Sequence, residues 1–504
     1  MGTTANAGRR QRDRSADLQR RVNSRENGND GAGCAADSIA TVQAGVVWRE
    51  TEGWQAMATK LKTIEERYVE RFRESARFYE RGKSLFPGGV THQTAFRKPF
   101  PVYFRRASGG LKYDVGGNEI VDYVMGNGSL ILGHAHPAVV SAISSVAPFS
   151  THLSGPNVLE LEWAEILMSP VPSIETLRFL TSGTEATYGA MRIARNFTGK
   201  PKIVKLDEHF HGWHEYAIPA SGHPDAYMPP GVRESVIVSR ADVASIEAVL
   251  DANDDVAGVI VEANGAHWGT VPLPNPEFLQ SVQAMCNARG VVFILDEVVT
   301  GFRYSRGGAQ VRWGVTPDIS AFGKIVSGGE PGAAVGGRRD IMDMLSITGD
   351  PAWDDVKRVA QGGTFNANPT TAAAGVACLK TIRDEPINER ADNNAAALKA
   401  GLNDVFERLG ITGHAHGVSS IVHVNLGFDC PCDRGICTMT HEQIYETMPP
   451  ELPQRMRLAM LVNGVDMLGG RGFLVSAAHR RQDIEFTVEA FADSLGDLQA
   501  EGAI

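Results

Sequence analysis

Two charged side chains stand in surroundings that suit neither charge. Asp296 follows Val291–Leu295, an uninterrupted apolar run typical of a strand buried on both faces of a parallel sheet. Lys324 lies among small and apolar residues in Ser320–Val326. A lysine deprived of water has a lowered pKa, and its amine becomes a nucleophile toward aldehydes. An aspartate can keep a pyridine nitrogen protonated, so the pair indicates pyridoxal phosphate chemistry.

These two residues alone leave a structural interpretation equally open. Asp296 could cap a helix, and the amine of Lys324 could reach the surface along its apolar stem. The decision therefore depends on whether neighbouring segments supply the other parts of a cofactor site.

A phosphate-binding turn is the first such part. The pattern predicts a short strand at Leu177–Leu180, then a turn, then a helix over Thr187–Phe197. Free N–H groups and the positive end of the helix dipole would point at an anion there, which makes Ser182, Gly183 and Thr184 the candidate phosphate ligands. Simple N-capping by a hydroxyl of this turn is the alternative.

Two further strands end on residues that could face a cofactor. The strand Lys202–Leu206 leads to Phe210, whose ring could lie against a planar cofactor. The buried run Val256–Val261 ends on Glu262. Strands alternating with helices predict a doubly wound α/β sheet, and ligands bind at the carboxyl ends of strands in such sheets.

Composition excludes several classes of protein. The chain has 504 residues and a net charge of −10, which argues against nucleic acid as a partner. No apolar run reaches the roughly 20 residues that a membrane span needs. No GxGxxG fingerprint of a nicotinamide enzyme follows a strand. Six cysteines and no secretory signal predict a reducing, cytoplasmic location.

Four potential metal ligands crowd one segment near the C-terminus. They are Cys430, Cys432, Cys437 and His441, and their spacing matches no common zinc motif. Ordinary thiols in a proline-containing surface loop are the favoured interpretation, so no metal is predicted. Residues 1–50, rich in arginine and poor in large apolar side chains, are predicted to form a disordered arm.

Several segments, taken in order, resemble the class III pyridoxal-phosphate aminotransferases. More narrowly, they resemble the branch that contains glutamate-1-semialdehyde aminomutase and its aminotransferase relatives. The resemblance covers about Phe86 to Phe491. The segments that carry it are Phe179–Ala186, Phe210–Gly212, Asp296–Arg303, Gly314–Asp318, Phe322–Lys324 and Gly363–Pro369.

The resemblance implies the type I fold of pyridoxal-phosphate-dependent transferases. A large α/β domain over residues 126–375 would contain a mostly parallel sheet of the seven-stranded type. A smaller α+β domain would be built from both chain ends, residues 51–125 and 376–504. The active form would be a homodimer with shared active sites.

The resemblance also implies roles for individual residues. Lys324 would form the Schiff base with the cofactor, Asp296 would pair with the pyridinium, and Val298 would pack under the ring. Phe210 takes the place of the usual tyrosine of the family. The phosphate ligands would be Ser182, Gly183 and Thr184, with Thr364 reaching the phosphate of the neighbouring subunit, and His211 and Glu262 would complete the cofactor site.

Two departures from the family pattern bear on the reaction. Arg471 stands where the aminomutases carry a glutamate, and Thr91–Thr94 replaces a stretch of theirs that holds a carboxylate-binding arginine. We therefore expect a ping-pong aminotransferase acting on an amino acid or amine and a keto acid or aldehyde. The alternative is the intramolecular glutamate-1-semialdehyde 2,1-aminomutase. Arg471 is the candidate for binding a substrate carboxylate, with a solvated loop arginine as the alternative.

Overall fold

The computed structural model of the chain describes residues 62–428, 430, 432, 437, 439–446 and 448–504, with the side chains of 441, 445 and 446 left out. The disordered arm predicted for residues 1–50 and the side chain of His441 lie outside this description. The part from Leu61 to Ile504 forms one compact unit. No helix in the described part is long and apolar enough to cross a bilayer.

The strands and helices are numbered in chain order. The strands are β1 Phe104–Ser108, β2 Leu111–Asp114, β3 Glu119–Asp122, β4 Thr176–Leu180, β5 Lys202–Leu206, β6 Val236–Ser239, β7 Val256–Glu262, β8 Val271–Pro272, β9 Val292–Glu297, β10 Ile319–Phe322, β11 Ala333–Gly337, β12 Gly413–His416, β13 Ile421–Leu426, β14 Val465–Asp466 and β15 Gly472–Leu474. The helices are α1 Ile64–Arg71, α2 Arg73–Lys83, α3 Met125–Gly128, α4 Pro137–Val146, α5 Val158–Met168, α6 Gly183–Thr198, α7 Pro230–Glu234, α8 Val243–Ala252, α9 Ala266–Gly269, α10 Phe278–Arg289, α11 Gly308–Trp313, α12 Arg339–Met342, α13 Pro351–Asp354, α14 Pro369–Asp384, α15 Ile387–Leu409, α16 His441–Glu446, α17 Leu452–Val462 and α18 Arg481–Ala500. Short 3₁₀ turns lie at Pro87–Gly89, Gln93–Ala95, Lys324–Ser327 and Asp343–Leu345.

A seven-stranded sheet organises the chain, in the order β4-β11-β10-β9-β7-β5-β6. Strand β11 pairs antiparallel with both β4 and β10, and the remaining neighbours pair in parallel. The sheet is therefore mostly parallel, as the resemblance implied. Its parallel strands end at one edge, where Glu262 lies opposite Asp296.

Alternation along the central strands explains why these segments read as continuous apolar runs. In β7, Val259 and Val261 pack in one core cluster while Ile260 packs in another on the opposite face. In β9, Phe293 and Ile294 divide in the same way. Helices α8 and α10 cover the first face and α6 covers the second, so both faces must be apolar.

Two smaller sheets bring distant parts of the chain together. One has the order β1-β2-β3-β14, and β14 near the C-terminus pairs in parallel with β3, placing Val465 beside Val121. The other has the order β12-β13-β15. Both chain ends thus contribute to one sheet, although the boundaries at 125/126 and 375/376 stay a prediction.

The cysteine-containing segment differs from the expected surface loop. Cys430 and Cys437 are buried and pack with Met439 and Ile444 in a small core cluster of their own. The segment folds back over apolar residues, including Val271 and Phe428, which the local pattern around the cysteines did not reveal.

Candidate active site

The carboxyl ends of β9 and β10 bring Asp296 and Lys324 to one edge of the sheet. The two strands are parallel neighbours, and Asp296 lies opposite Ala321. Lys324 begins the 3₁₀ turn two residues after β10 and has a positive φ of 56°. A left-handed backbone is uncommon for a residue with a side chain and is typical of functional positions.

Lys324 has the electrostatic surroundings that Schiff-base chemistry needs. Its side chain is half-buried, and loss of surrounding water lowers its pKa. Asp296 and Glu262 partly oppose this shift, whereas the buried cation Arg303 lowers the pKa further. A larger fraction of the amine is therefore uncharged at neutral pH than for a solvated lysine.

Asp296 accepts hydrogen bonds from two donors. Its Oδ2 lies 2.8 Å from Nδ1 of the buried His211, and its Oδ1 accepts from the backbone N–H of Val298 at 3.0 Å. Burial lowers the pKa of His211, against the opposing effect of Asp296, so the neutral imidazole donates through Nδ1. The aspartate is 6% exposed, so its negative charge is available only to a group inserted above it.

The turn after β4 carries both features that the sequence left as alternatives. Ser182 caps α6: its Oγ accepts from the N–H of Glu185 at 3.4 Å, and the Glu185 carboxylate accepts from the Ser182 N–H at 3.0 Å. The first N–H groups of α6, at Gly183 and Thr184, have no acceptor within the helix and carry its positive dipole end. Capping and anion binding are therefore compatible here.

Close backbone approach defines the floor of the site. A Cβ at Gly183 would lie 2.7 Å from Cγ1 of Val298, and one at Gly323 would lie 3.2 Å from the same atom. Val298 therefore packs between Gly183, in the turn after β4, and Gly323, the residue before Lys324. Gly212, at a φ of 106°, similarly approaches Thr184, whose Oγ1 accepts from the N–H of Trp213. This cradle, with a lysine, a carboxylate and a helix N-terminus, fits pyridoxal phosphate.

We expect Gly183→Ala to weaken cofactor binding because the added methyl would push Val298 or the phosphate turn out of place. Overpacking of this kind costs about 1–3 kcal/mol, so the dissociation constant for pyridoxal phosphate should rise roughly tenfold or more. Absorbance titration of the cofactor-free protein measures it. Gly189→Ala in the same helix is the matched control, because its Cβ would lie at an ordinary 3.9 Å from Val335. Equal affinities of the two variants would contradict the cradle.

Glu262 organises the segment that carries Phe210. Its Oε1 accepts from the N–H of Phe210 at 2.6 Å and of His267 at 3.2 Å. Burial, reinforced by the neighbouring charge of Asp296, raises the pKa of Glu262 to about 7. Glu262 therefore positions Phe210, whose ring lines the open cleft beside this edge of the sheet.

The raised pKa of Glu262 predicts a pH-dependent stability. Its ordinary pKa is 4.5 and its folded value is about 7, so the folded state holds the proton more tightly. The stability gained from that proton is full below pH 4.5 and is lost as the pH rises through 7. Relative to Glu262→Gln, the cofactor-free wild type should lose about 3 kcal/mol of unfolding free energy over this interval.

Urea unfolding at a series of pH values measures this difference. Glu277→Gln changes an exposed glutamate and should leave the wild-type profile unaltered. Parallel pH profiles for wild type and Glu262→Gln would show that the buried carboxyl does not change protonation in this range.

A cleft of about 1070 Å³ opens beside these residues. Gly126 and Asn127 line it, and the adjacent Gly128 approaches Lys324, since a Cβ there would lie 3.8 Å from the lysine Cδ. Thr91–Thr94 and Trp268 also line the cleft. The segment that departs from the aminomutase pattern therefore faces the space where a substrate would enter.

One wall of the cleft is a buried ionic network that the sequence did not indicate. Lys112 binds both Asp122 and Asp466, at 2.9 and 2.6 Å. Arg97 reaches Asp466 at 3.4 Å and Arg457 reaches it at 3.8 Å. Three cations thus face two carboxylates. Among the described residues, Nε and Nη1 of Arg97 have no hydrogen-bond partner.

This network holds its carboxylates ionised. Burial disfavours the charge of Asp466, but Lys112 and the two arginines outweigh burial and keep the pKa of Asp466 below its usual range. Burial also lowers the pKa of Arg457 to about 10. The wall consequently retains an excess positive charge at neutral pH, and an excess cation in a partly desolvated cleft suits a carboxylate ligand.

Arg303 is a further buried cation that sequence reasoning left without a role. Its Nη1 donates to Ser420 Oγ and to the carbonyl of Val475, and its Nη2 donates to the carbonyl of Gly128. Burial lowers its pKa to about 10. An arginine directly after an apolar segment was the available signal, but its partners come from distant parts of the chain.

Two predicted site residues lie outside the cluster around Lys324. Arg471 is not among the residues lining the cleft; its charge lowers the pKa of His423, whose Nε2 donates to the carbonyl of Trp268. Thr364 is exposed, and its carbonyl accepts from His152 Nε2 at 2.6 Å. Within one chain, neither reaches the cradle.

Comparison with known proteins agrees with this geometry. The family model for class III aminotransferases matches residues 93–426. The chain is 33% identical to glutamate-1-semialdehyde 2,1-aminomutase of Methanosarcina acetivorans, over 84% of this chain and 98% of that protein. An omega-transaminase from Sphaerobacter thermophilus superposes with a TM-score of 0.77 at 30% identity, covering 86% and 99% of the two chains. A beta-phenylalanine aminotransferase from Variovorax paradoxus gives 0.75 at 25% identity, covering 87% and 99%.

These matches confirm the predicted fold and cofactor. The chain has the type I fold of pyridoxal-phosphate-dependent transferases. The chain therefore belongs to the class III aminotransferases, a family of pyridoxal-phosphate-dependent enzymes.

Proposed function

We propose that this enzyme is an aminotransferase that moves an amino group from a carboxylate-bearing amino acid or amine to a separate keto acid or aldehyde. One observation carries the choice: Thr91–Thr94, where the chain departs from the aminomutase pattern, lines the same cleft as Phe210. The residues that differ from the aminomutase pattern therefore belong to the surface that a substrate in this cleft would contact. The excess positive charge of the same cleft supports a substrate carboxylate.

Different residues of this chain would supply different parts of the amino-transfer reaction. Pyridoxal phosphate supplies an aldehyde that condenses with amines and a ring that accepts electrons from the substrate carbon. Asp296 would hold the ring nitrogen protonated. Lys324 would carry a proton to or from the substrate carbon, because its lowered pKa favours the uncharged amine. Val298 and Phe210 would hold the ring on its two faces.

Arg97 is the residue we favour for binding the substrate carboxylate, ahead of Arg471. Arg97 lines the cleft, whereas Arg471 lies beside His423, away from the lining. A bidentate grip requires the planar guanidinium, which lysine lacks. We expect Arg97→Lys to raise KM for carboxylate substrates and Arg471→Ala to leave it unchanged. The reverse result would assign carboxylate binding to Arg471.

Intramolecular aminomutase activity is the second candidate. The aminomutase relative from Methanosarcina acetivorans favours it, because the similarity extends over nearly the whole of that protein. An aminomutase returns the amino group to the same substrate and needs no second one. The two reactions therefore differ in whether a separate acceptor must be supplied.

Incubation of the loaded enzyme with single substrates distinguishes the two candidates. We expect no 5-aminolevulinate from glutamate-1-semialdehyde alone, but amino transfer from α- or β-amino acids once 2-oxoglutarate or pyruvate is added. Mass spectrometry identifies the products. Formation of 5-aminolevulinate without an added acceptor would overturn the proposal in favour of the aminomutase.

We also propose a homodimer with shared active sites. Five large apolar residues are between 55 and 89% exposed: Phe149, Leu153, Val158, Leu161 and Phe365. Hydrogen bonds from His152 to Thr364 and from Asn157 to Ala367 join the two segments that carry them. Exposed apolar side chains on two segments that are joined in this way support an interface there. It includes the segment of Thr364, the residue proposed to reach the phosphate of the neighbouring subunit.

We expect the double variant Val158→Asp, Phe365→Asp to be monomeric and to bind the cofactor poorly. Two charges would have to be buried in the interface, and Thr364 would no longer reach the partner's phosphate. Light scattering after gel filtration gives the mass. Tyr227→Asp, which alters an exposed ring elsewhere, should remain dimeric. A dimeric, active double variant would contradict this interface. The predicted cytoplasmic location stays a prediction.

A further inference from the structure

A cluster of metal-binding side chains lies outside the cofactor site. It consists of His414, Cys430, Cys432 and Cys437, whose nearest ligand atoms all lie within 4.8 Å of one another. His414 is on β12, and the three cysteines follow the end of β13. We propose that these four residues bind one structural Zn²⁺ ion.

The separations between ligand atoms match those of a tetrahedral zinc site. Sγ of Cys430 lies 3.6 Å from Sγ of Cys437, which lies 3.5 Å from Nε2 of His414. Zinc bonds of about 2.3 Å to sulfur and 2.0 Å to nitrogen place tetrahedral ligand atoms about 3.5 to 3.8 Å apart. All four ligand atoms lie within 4.8 Å of one another, which is at most about 1 Å beyond this range. A small movement of one cysteine removes that excess.

The chemistry of the cluster selects zinc. Three thiols and one imidazole form the Cys₃His set of structural zinc sites, and soft sulfur ligands disfavour magnesium and calcium. Four protein ligands fill the tetrahedron and leave no position open for substrate or water. The ion would therefore hold structure and take no part in amino transfer.

A disulfide is the main alternative for these thiols. Two of the cysteines, Cys430 and Cys437, are close enough to pair after a shift, but their 3.6 Å separation is well beyond the S–S bond of about 2.05 Å. A disulfide would use only two of the four potential ligands. A zinc ion uses all four groups.

The position of the fourth ligand explains why sequence spacing did not reveal the site. The cysteines follow a Cys-x-Cys-x₄-Cys pattern, and the sequence offered His441 as the nearby histidine. The structure instead brings in His414, which lies on β12, paired with β13. The antiparallel pair places the start of the hairpin beside the segment that follows its end.

The site would attach the cysteine segment to the sheet of β12 and β13. Its neighbours lead toward the cofactor cleft: Cys437 borders a small cavity shared with His423 and Trp268, and Trp268 also lines the cleft. Loss of the ion should therefore lower the thermal stability of the protein more than its cofactor content. Cofactor content should change little, because none of the four ligands belongs to the cradle.

Metal content and cobalt substitution test the proposal on the full-length enzyme loaded with pyridoxal phosphate. We expect about one zinc per chain by elemental mass spectrometry. Cys432→Ser and His414→Asn should each lower it about tenfold or more, with cofactor content retained. Cys286→Ala changes a buried free cysteine elsewhere and should keep the zinc.

Cobalt gives a readout that does not depend on the variants folding. After zinc is removed by chelation, Co²⁺ in the wild type should produce the intense red-region absorption of a tetrahedral thiolate site, separate from the yellow of the cofactor. This absorption should be missing from Cys432→Ser. Wild-type protein with neither zinc nor this absorption, or peptide mapping that finds a Cys430–Cys437 disulfide, would overturn the proposal.

Discussion

Replacing Lys324 with alanine is expected to lower amino transfer by at least about 10³-fold, because one side chain supplies both the nucleophile and the proton carrier. Single-turnover kinetics with an amino donor measures the loss. The yellow absorption of the lysine-linked cofactor should disappear while the cofactor still binds through its phosphate. Lys324→Arg should be equally inactive, since guanidinium remains charged and forms no Schiff base.

A second described lysine with a lowered pKa provides the matched control. Burial lowers the pKa of Lys205 to about 8, but its Nζ donates to the carbonyl of Pro219 and its side chain has no exposed surface. Lys205→Met should therefore keep the yellow absorption and most of the activity. If Lys324→Ala retained more than about a tenth of wild-type turnover, the assigned role would be wrong.

Asp296→Asn is expected to lower kcat by about 10²–10³-fold while leaving most of the cofactor bound. Asparagine preserves the shape, and its single carbonyl oxygen can accept from the N–H of Val298 while its NH2 donates to His211 in the other tautomer. It carries no negative charge to hold the ring nitrogen protonated. Rates of the half-reaction with donor alone, compared with cofactor content, separate the effect on chemistry from an effect on binding.

Asp318→Asn makes the same chemical change at the opposite end of the sheet. Asp318 precedes β10, accepts from the N–H of Phe293 and pairs with Arg338. Its replacement should lower stability and leave kcat within about twofold of the wild type. Equal losses of kcat in both variants would mean that the Asp296 effect is structural.

The central sheet could be predicted from the sequence because its strands are buried on both faces. Val256–Val261 and Val291–Leu295 were predicted as strands, and β7 and β9 occupy these positions to within two residues. Asp296 and Glu262 at their ends followed directly. The phosphate turn was also predictable, since a strand, a short polar turn and a helix are local features.

Features made by distant segments could not be predicted in this way. The ionic wall of the cleft depends on Lys112 meeting Asp466, 354 residues later, through the pairing of β3 with β14. The metal-binding cluster depends on His414, which is remote from the cysteines in sequence.

Reduction of the cofactor-loaded enzyme with borohydride shows which lysine is bonded to pyridoxal phosphate. It fixes the carbon–nitrogen bond between the cofactor and the lysine that holds it, and peptide mass spectrometry then locates the modified residue. We expect the phosphopyridoxyl group on Lys324. Modification of Lys205 or another lysine, or no modification of a protein that binds the cofactor, would contradict it.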